Sequence, residues 1–184
     1  MEGKIVHRGV TREGMDIIIR YPESSDAQAM CDYINALSEE RTFIRFQGEK
    51  VTLESETDYL NKQINNIKDN KTVELFIIGN GRILGITAVD MKDKTESHEG
   101  VLGISIAKEI RGEGIGKKFM ELILHEAESN LEQLKLITLG VFGDNELALD
   151  LYPKFGFVEY GRLPGGSHHN GRYVDHVYMY KKVR

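Results

Sequence analysis

Tryptophan is absent from this chain of 184 residues, cysteine occurs once and proline three times. The single Cys31 excludes a disulfide within the chain and fits a reducing compartment, so a cytoplasmic location is expected. No apolar run approaches the ~20 residues that cross a bilayer. The opening MEGKIVHRGV has no signal-peptide core, and no membrane partner is expected. Positive charge is also scarce. Lys and Arg total 24 against 29 Asp and Glu, a net charge of -5, which offers no broad basic surface to nucleic acid.

What is present reads as one domain, residues 1–184. MDIIIRYP is a β-rich run stopped by Pro22. SSDAQAMCDYINALSEE follows with Ser and Asp as cap candidates and Ala27, Met30, Ile34 and Leu37 at helical spacing. A second helix carries Tyr59, Leu60, Ile64 and Ile67 on one stripe, with Thr52 and Ser55 as a loose capping signal. Two strands then flank Gly79-Asn80-Gly81, a hairpin signal. VLGISIA is another strand, and Ile115, Phe119, Leu122 and Ile123 mark the next helix. LKLITLGVF is apolar on nearly every residue, as an interior strand should be. A helix over NELALDLYPKF puts Leu147, Ala148, Leu151, Tyr152 and Phe155 on one side. FVEYGRL and RYVDHVYMYKKV end the chain as strands joined by a PGGSHHNG loop. The order predicts a mixed α/β domain with about seven strands and about four helices.

The segment RGEGIG, at 111–116, sets three glycines on alternate positions between a strand and a helix. Such a turn leaves backbone N–H groups unpaired at the positive end of the helix dipole, which is a phosphate site. Two phosphate fingerprints fail. The P-loop would need glycine at Arg111 and Ser or Thr at Lys118, and the dinucleotide pattern would need glycine at Lys117.

ISIAKEIRGEGIGKKFMELI resembles motif A of the GNAT superfamily, the acyl-CoA-dependent N-acyltransferases. Arg111, Gly114 and Gly116 match its [RQ]-x-x-G-x-[GA] signature. NELALDLYPKFGF resembles motif B, with Asn145, Ala148, Tyr152, Gly156 and Phe157 in place. The ending GRYVDHVYMYKK is similar to the last strand of the phosphinothricin-type small-molecule acetyltransferases, through Gly171, Tyr173, Asp175 and Met179. The resemblance implies a twisted mixed sheet that splays between the fourth and fifth predicted strands, and acetyl-CoA as co-substrate with no metal. It further implies transfer of the acetyl group to a primary amine of a small molecule, or of a peptide, by direct attack in a ternary complex. A homodimer is common among relatives. The competing reading is a non-catalytic GNAT-fold module that binds acyl-CoA or regulates a partner.

The resemblance distributes roles along the chain. The backbone of Gly112, Glu113, Gly114, Ile115, Gly116 and Lys117 would hold the pyrophosphate. Arg111 has two readings, a phosphate contact or a partner for a local carboxylate. The backbone of Ile104 and Ile106 would pair with the pantetheine arm as an added strand. Asn145 is read as a helix cap and as a pantetheine ligand. Tyr152 is the candidate acid for the leaving thiolate, against the reading of a core tyrosine. Some relatives place a glutamate base where this chain has Gly100, so His98 and Glu99 are the neighbouring candidates, beside a water chain. The acceptor should lie between SEERTFIRFQGEK and PGGSHHNGRYVD. There Glu39, Glu40 and Glu49 could attract an amine and Phe43 and Phe46 could wall it. His168 and His169 bring no Cys or carboxylate cluster, so no metal is expected.

Overall fold

A computed structural model describes residues 1–183, in which the β-rich runs form one sheet. The strands are β1 (Ile5–Val10), β2 (Asp16–Arg20), β3 (Thr72–Gly79), β4 (Arg82–Met91), β5 (Glu99–Ile106), β6 (Leu136–Phe142), β7 (Val158–His169) and β8 (Arg172–Lys182). They lie in the order β1-β2-β3-β4-β5-β6-β8-β7. Only β5 and β6 are parallel; every other neighbouring pair is antiparallel. The helices are α1 (Ala27–Glu39), α2 (Leu53–Lys68), α3 (Ile115–Asn130) and α4 (Glu146–Leu151).

Alternation along the strands sends side chains to two faces. Val73, Leu75 and Ile77 of β3 join Phe119, Met120 and Ile123 of α3 in the larger core. Phe76, the next residue along, faces the other way and packs with Met30, Leu37, Leu60 and Ile64 of α1 and α2. Because both faces are covered, β3 is buried almost end to end. A Leu, Ile or Phe buried in this way contributes roughly 1.5–3 kcal/mol. The expected capping box at α2 is present: Thr52 Oγ1 accepts from Ser55 N at 3.1 Å and Ser55 Oγ accepts from Thr52 N at 3.1 Å.

Four local expectations change. The sheet has eight strands rather than about seven, because β1 pairs with β2. Its mixed IVHRGV sequence lacks the dense apolar signal of a central strand, as suits an edge. The PGGSHHNG segment is not a loop. β7 runs through it to His169, and Asn170 (φ 47°) with Gly171 (φ 75°) makes the turn alone. The surplus residues form a bulge between Leu163 and Ser167, where Gly165 has φ 64°. Asp26 does not cap α1 through its side chain. Its carboxylate instead takes both arms of the Arg20 guanidinium, at 2.8 and 2.7 Å, in a buried pair. Finally, α4 stops at Leu151 and a 3-10 turn, Tyr152–Phe155, follows where Pro153 has no N–H to continue the helix. Leu147 points outward, 84% exposed, rather than into the core.

Candidate active site

β5 and β6 pair at three positions only, Glu99–Leu136, Gly100–Ile137 and Val101–Thr138. Beyond them the strands part, and the gap opens the middle of the sheet. Which groups face the gap follows from the antiparallel pairing on the other side of β5. Ala107 N donates to Leu84 O at 2.8 Å. Hydrogen-bonded pairs alternate, so residues 105 and 103 turn their amides toward β4. Gly103 O agrees, accepting from Thr87 Oγ1 of β4 at 2.8 Å. The backbone groups of Ile104 and Ile106 therefore face the gap. One of them is already engaged: Ile106 O accepts from Arg111 Nε at 2.8 Å.

The glycine loop closes one end. Gly112 (φ 79°) and Gly114 (φ 84°) sit in the left-handed region, which a side chain would strain. Gly116 serves differently. A Cβ there would stand 3.2 Å from Ile106 Cδ1, so its bareness lets α3 start against β5. Among the described residues, the N–H groups of residues 112–116 have no backbone partner. These are five backbone donors left over at the start of α3, the kind of group an anion site uses. The loop between β1 and β2 leans on it, with Glu113 Oε2 accepting from Arg12 N at 2.6 Å and Gly112 O accepting from Arg12 Nη1 at 3.4 Å. Arg111 is clamped to Glu40 at 2.9 Å.

The far lip of the gap is α4 and the turn after it. Asn145 caps α4, its Oδ1 accepting from Ala148 N at 3.2 Å. Tyr152 is 7% exposed and borders the gap together with Ile104, Ser105, Gly116, Asn145 and Ala148. Burial pushes its hydroxyl up to about 12, so the phenol keeps its proton at neutral pH.

On the α1/α2 face a second cavity, about 500 Å³, also reaches Tyr152. Phe43, Ile44 and Phe46 of the α1–α2 connection border it, as do Glu74 of β3, Asp90 of β4, Gly103 and Ser105 of β5 and His176 of β8. His176 lies over Gly140, where a Cβ would come within 2.3 Å of Nε2. Its Nδ1 is bonded to Ser167 Oγ at 2.8 Å. The two loops expected to flank an acceptor do meet. His169, 4% exposed, bonds Arg41 O through Nε2 at 3.1 Å and Asp144 through Nδ1 at 3.0 Å. Its ring packs against Phe43, with centroids 4.6 Å apart.

The gap thus gathers Ile104, Ile106, Arg111, Gly116, Asn145 and Tyr152, with residues 112–115 and 117 in the adjoining loop and first turn of α3. It does not gather His98 and Glu99. Glu99 sits five residues before Ile104, about 16 Å along the strand. Its carboxylate is bonded to Lys92 at 2.8 Å and to Thr138 at 2.6 Å. Burial raises that carboxyl, but the bonds from Lys92 and Thr138 outweigh it and hold it below the usual range. A side chain at Gly100 would point into the α3-side core, 2.6 Å from Val89. Nor are the expected loop acids free: Glu39 pairs with Lys50 and Glu40 with Arg111, while Glu49 accepts from Gln47 N. Sequence reasoning missed Glu74 and His176. Glu74 sits in a strand read for its apolar residues and His176 in one read for other positions, and only sheet register brings them to one cavity. Among the described residues, no group of three or more His, Cys, Asp or Glu is placed to hold a metal ion.

This geometry is that of the acyl-CoA N-acyltransferase fold, and comparison with known proteins agrees. Residues 31–157 match the model of the acetyltransferase (GNAT) family, and the chain belongs to that family. It is 29% identical over 100 residues to the L-amino acid N-acetyltransferase AaaT of Escherichia coli strain K12. That match covers 54% of this chain and spans 61% of the relative's length. A GNAT-family acetyltransferase from Streptococcus pneumoniae superposes with TM-score 0.83 at 28% identity, over 91% of this chain and 99% of that one. The yncA acetyltransferase of Salmonella typhimurium, solved with its cofactor acetyl-CoA, gives TM-score 0.77 at 16% identity over 91% and 94% of the two chains.

Proposed function

We propose that the protein transfers the acetyl group of acetyl-CoA to a primary amine by direct attack within a ternary complex. The observation that carries this reading is that Tyr152 borders both the gap and the cavity on the α1/α2 face. A donor thioester in the gap and an amine in the cavity would meet beside one phenol.

The division of labour follows from the groups present. Unpaired N–H donors of residues 112–116 bind the pyrophosphate. Ile104 and Ile106 offer backbone groups to the pantetheine amides, and an N–H there stabilises the oxyanion that forms when the amine nitrogen attacks the thioester carbon. One such donor lowers a barrier by about 3–4 kcal/mol. His176, through Nε2, takes the proton that the attacking nitrogen must lose. As the C–S bond breaks, Tyr152 donates its O–H to the departing thiolate. His98 and Glu99 have no part in this scheme, since both lie at the closed end of β5.

Free thiol released from acetyl-CoA by a panel of primary amines tests the reading. Amine-dependent release is expected, and His176→Gln should lower kcat/KM at neutral pH more than at high pH, where the amine arrives deprotonated. Tight acetyl-CoA binding with no release across the panel would instead make the chain a binding module.

A further inference from the structure

Glu74 is a charged-type side chain with nothing to hold it. It is 0% exposed, and neither carboxylate oxygen has a hydrogen-bond partner. Buried polar groups are nearly always paired, so an orphan bordering a cavity points to a missing ligand. Its cross-strand neighbours make room for one. Glu74 pairs with Ala88, and Ala88 with Gly103. The three lie in one row across the sheet on the α1/α2 face, and at Gly103 a Cβ would meet nothing within 4 Å. The row forms a shallow trough from Glu74 to the lip of the gap. Facing Glu74 are Asp90 of β4, Glu56 and Tyr59 of α2 and, ahead of α1, Asp26; Arg45 borders the cavity without bonding Glu74. Burial first, then the negative charges of Asp90, Glu56 and Asp26, push the Glu74 carboxyl up to about 8.

We propose that Glu74 is a second recognition point of the acceptor site, binding an ammonium group at the far end of the substrate, so that the preferred acceptors are diamines. This rests on the acetyltransferase reading for the identity of the near end. Glu74 stands two strands from the β5 lip, ~10 Å. A charge-assisted hydrogen bond occupies ~2.8 Å of that, leaving about 7 Å between the two nitrogens, the reach of a five-carbon diamine. Glu74 borders the cavity but touches no water, so the incoming ammonium shifts a floor side chain slightly. On its arrival the carboxyl proton leaves to solvent, and the bound pair is ammonium and carboxylate.

Calorimetric titration of 1,5-diaminopentane and pentylamine, without catalysis, tests this directly. Wild-type protein is expected to bind the diamine at least tenfold more tightly at pH 8. That preference should shrink toward pH 6, where the ammonium must displace a held proton. Glu74→Gln, of equal size, should bind both amines alike. Equal binding by the wild type, or a preference that survives in Glu74→Gln, overturns the proposal; the wild-type comparison stands even if the variant folds poorly. Thiol release in parallel separates the two readings: preferential binding without release removes the acetyltransferase, not the ammonium site.

Discussion

Replacing Glu74 with glutamine removes a titratable group and almost no volume, which makes its effect on stability calculable. The carboxyl moves from 4.5, its ordinary value, to about 8 in the folded chain. Between those values the folded chain holds a proton that the unfolded chain has released. Stability therefore falls as pH rises through that window, by up to 1.4 kcal/mol per pH unit. Below the window the carboxyl is neutral in both states and adds no slope. Above it the full cost of burying the charge is present, on the order of 5 kcal/mol. Glutamine has no proton to lose, so the difference between the two proteins isolates this one group. Urea denaturation of both at pH 5, 6, 7 and 8 should show the variant gaining on the wild type by roughly 3 kcal/mol across the range. A difference that stays constant within about 1 kcal/mol would refute the reasoning, since it would mean that Glu74 is solvated or already paired.

Three further outcomes are expected. Tyr152→Phe should lower kcat by about 100-fold or more with little change in the KM for acetyl-CoA; an unchanged kcat would make Tyr152 a core residue only. Gly114→Ala meets no side chain, so its cost is the φ of 84° alone, about 1–2 kcal/mol by denaturation, with a weaker acetyl-CoA affinity in the same titration. Asp26→Ala removes the buried carboxylate partner of Arg20, leaving it Tyr21 O at 2.9 Å and Glu23 at 3.8 Å, and should cost about 3 kcal/mol of unfolding free energy.

The backbone geometry of the candidate donor half was legible in the chain because local backbone demands write themselves into residue type. Gly112 and Gly114 are needed for φ, Gly116 for closeness, Asn145 for a cap, and all sit within two short segments. The fold followed from periodicity for the same reason. What periodicity could not carry was register. Whether a glycine such as Gly103 opens a trough, or one such as Gly100 is pressed against Val89, depends on which strand lies alongside. Glu74 reads in sequence as a charge interrupting an apolar run, and only its pairing with Ala88 shows that it floors a cavity. The N-terminal edge strand and the bulged β7 were hidden for a third reason. Their stability comes from a partner strand rather than from their own composition.

The parting of β5 from β6 after Val101 leaves two raw strand edges in the interior of a sheet, where folded proteins ordinarily have none. An occupant of that gap completes the sheet as well as reacting in it. Acetyl-CoA would then act as a removable strand, and the folding free energy would follow its supply: at a hundred times the Kd, about 2.7 kcal/mol is added. A cell short of acetyl-CoA would hold this protein in its most open and most association-prone form. The abundance of the protein would then follow the supply of the ligand that fills its gap.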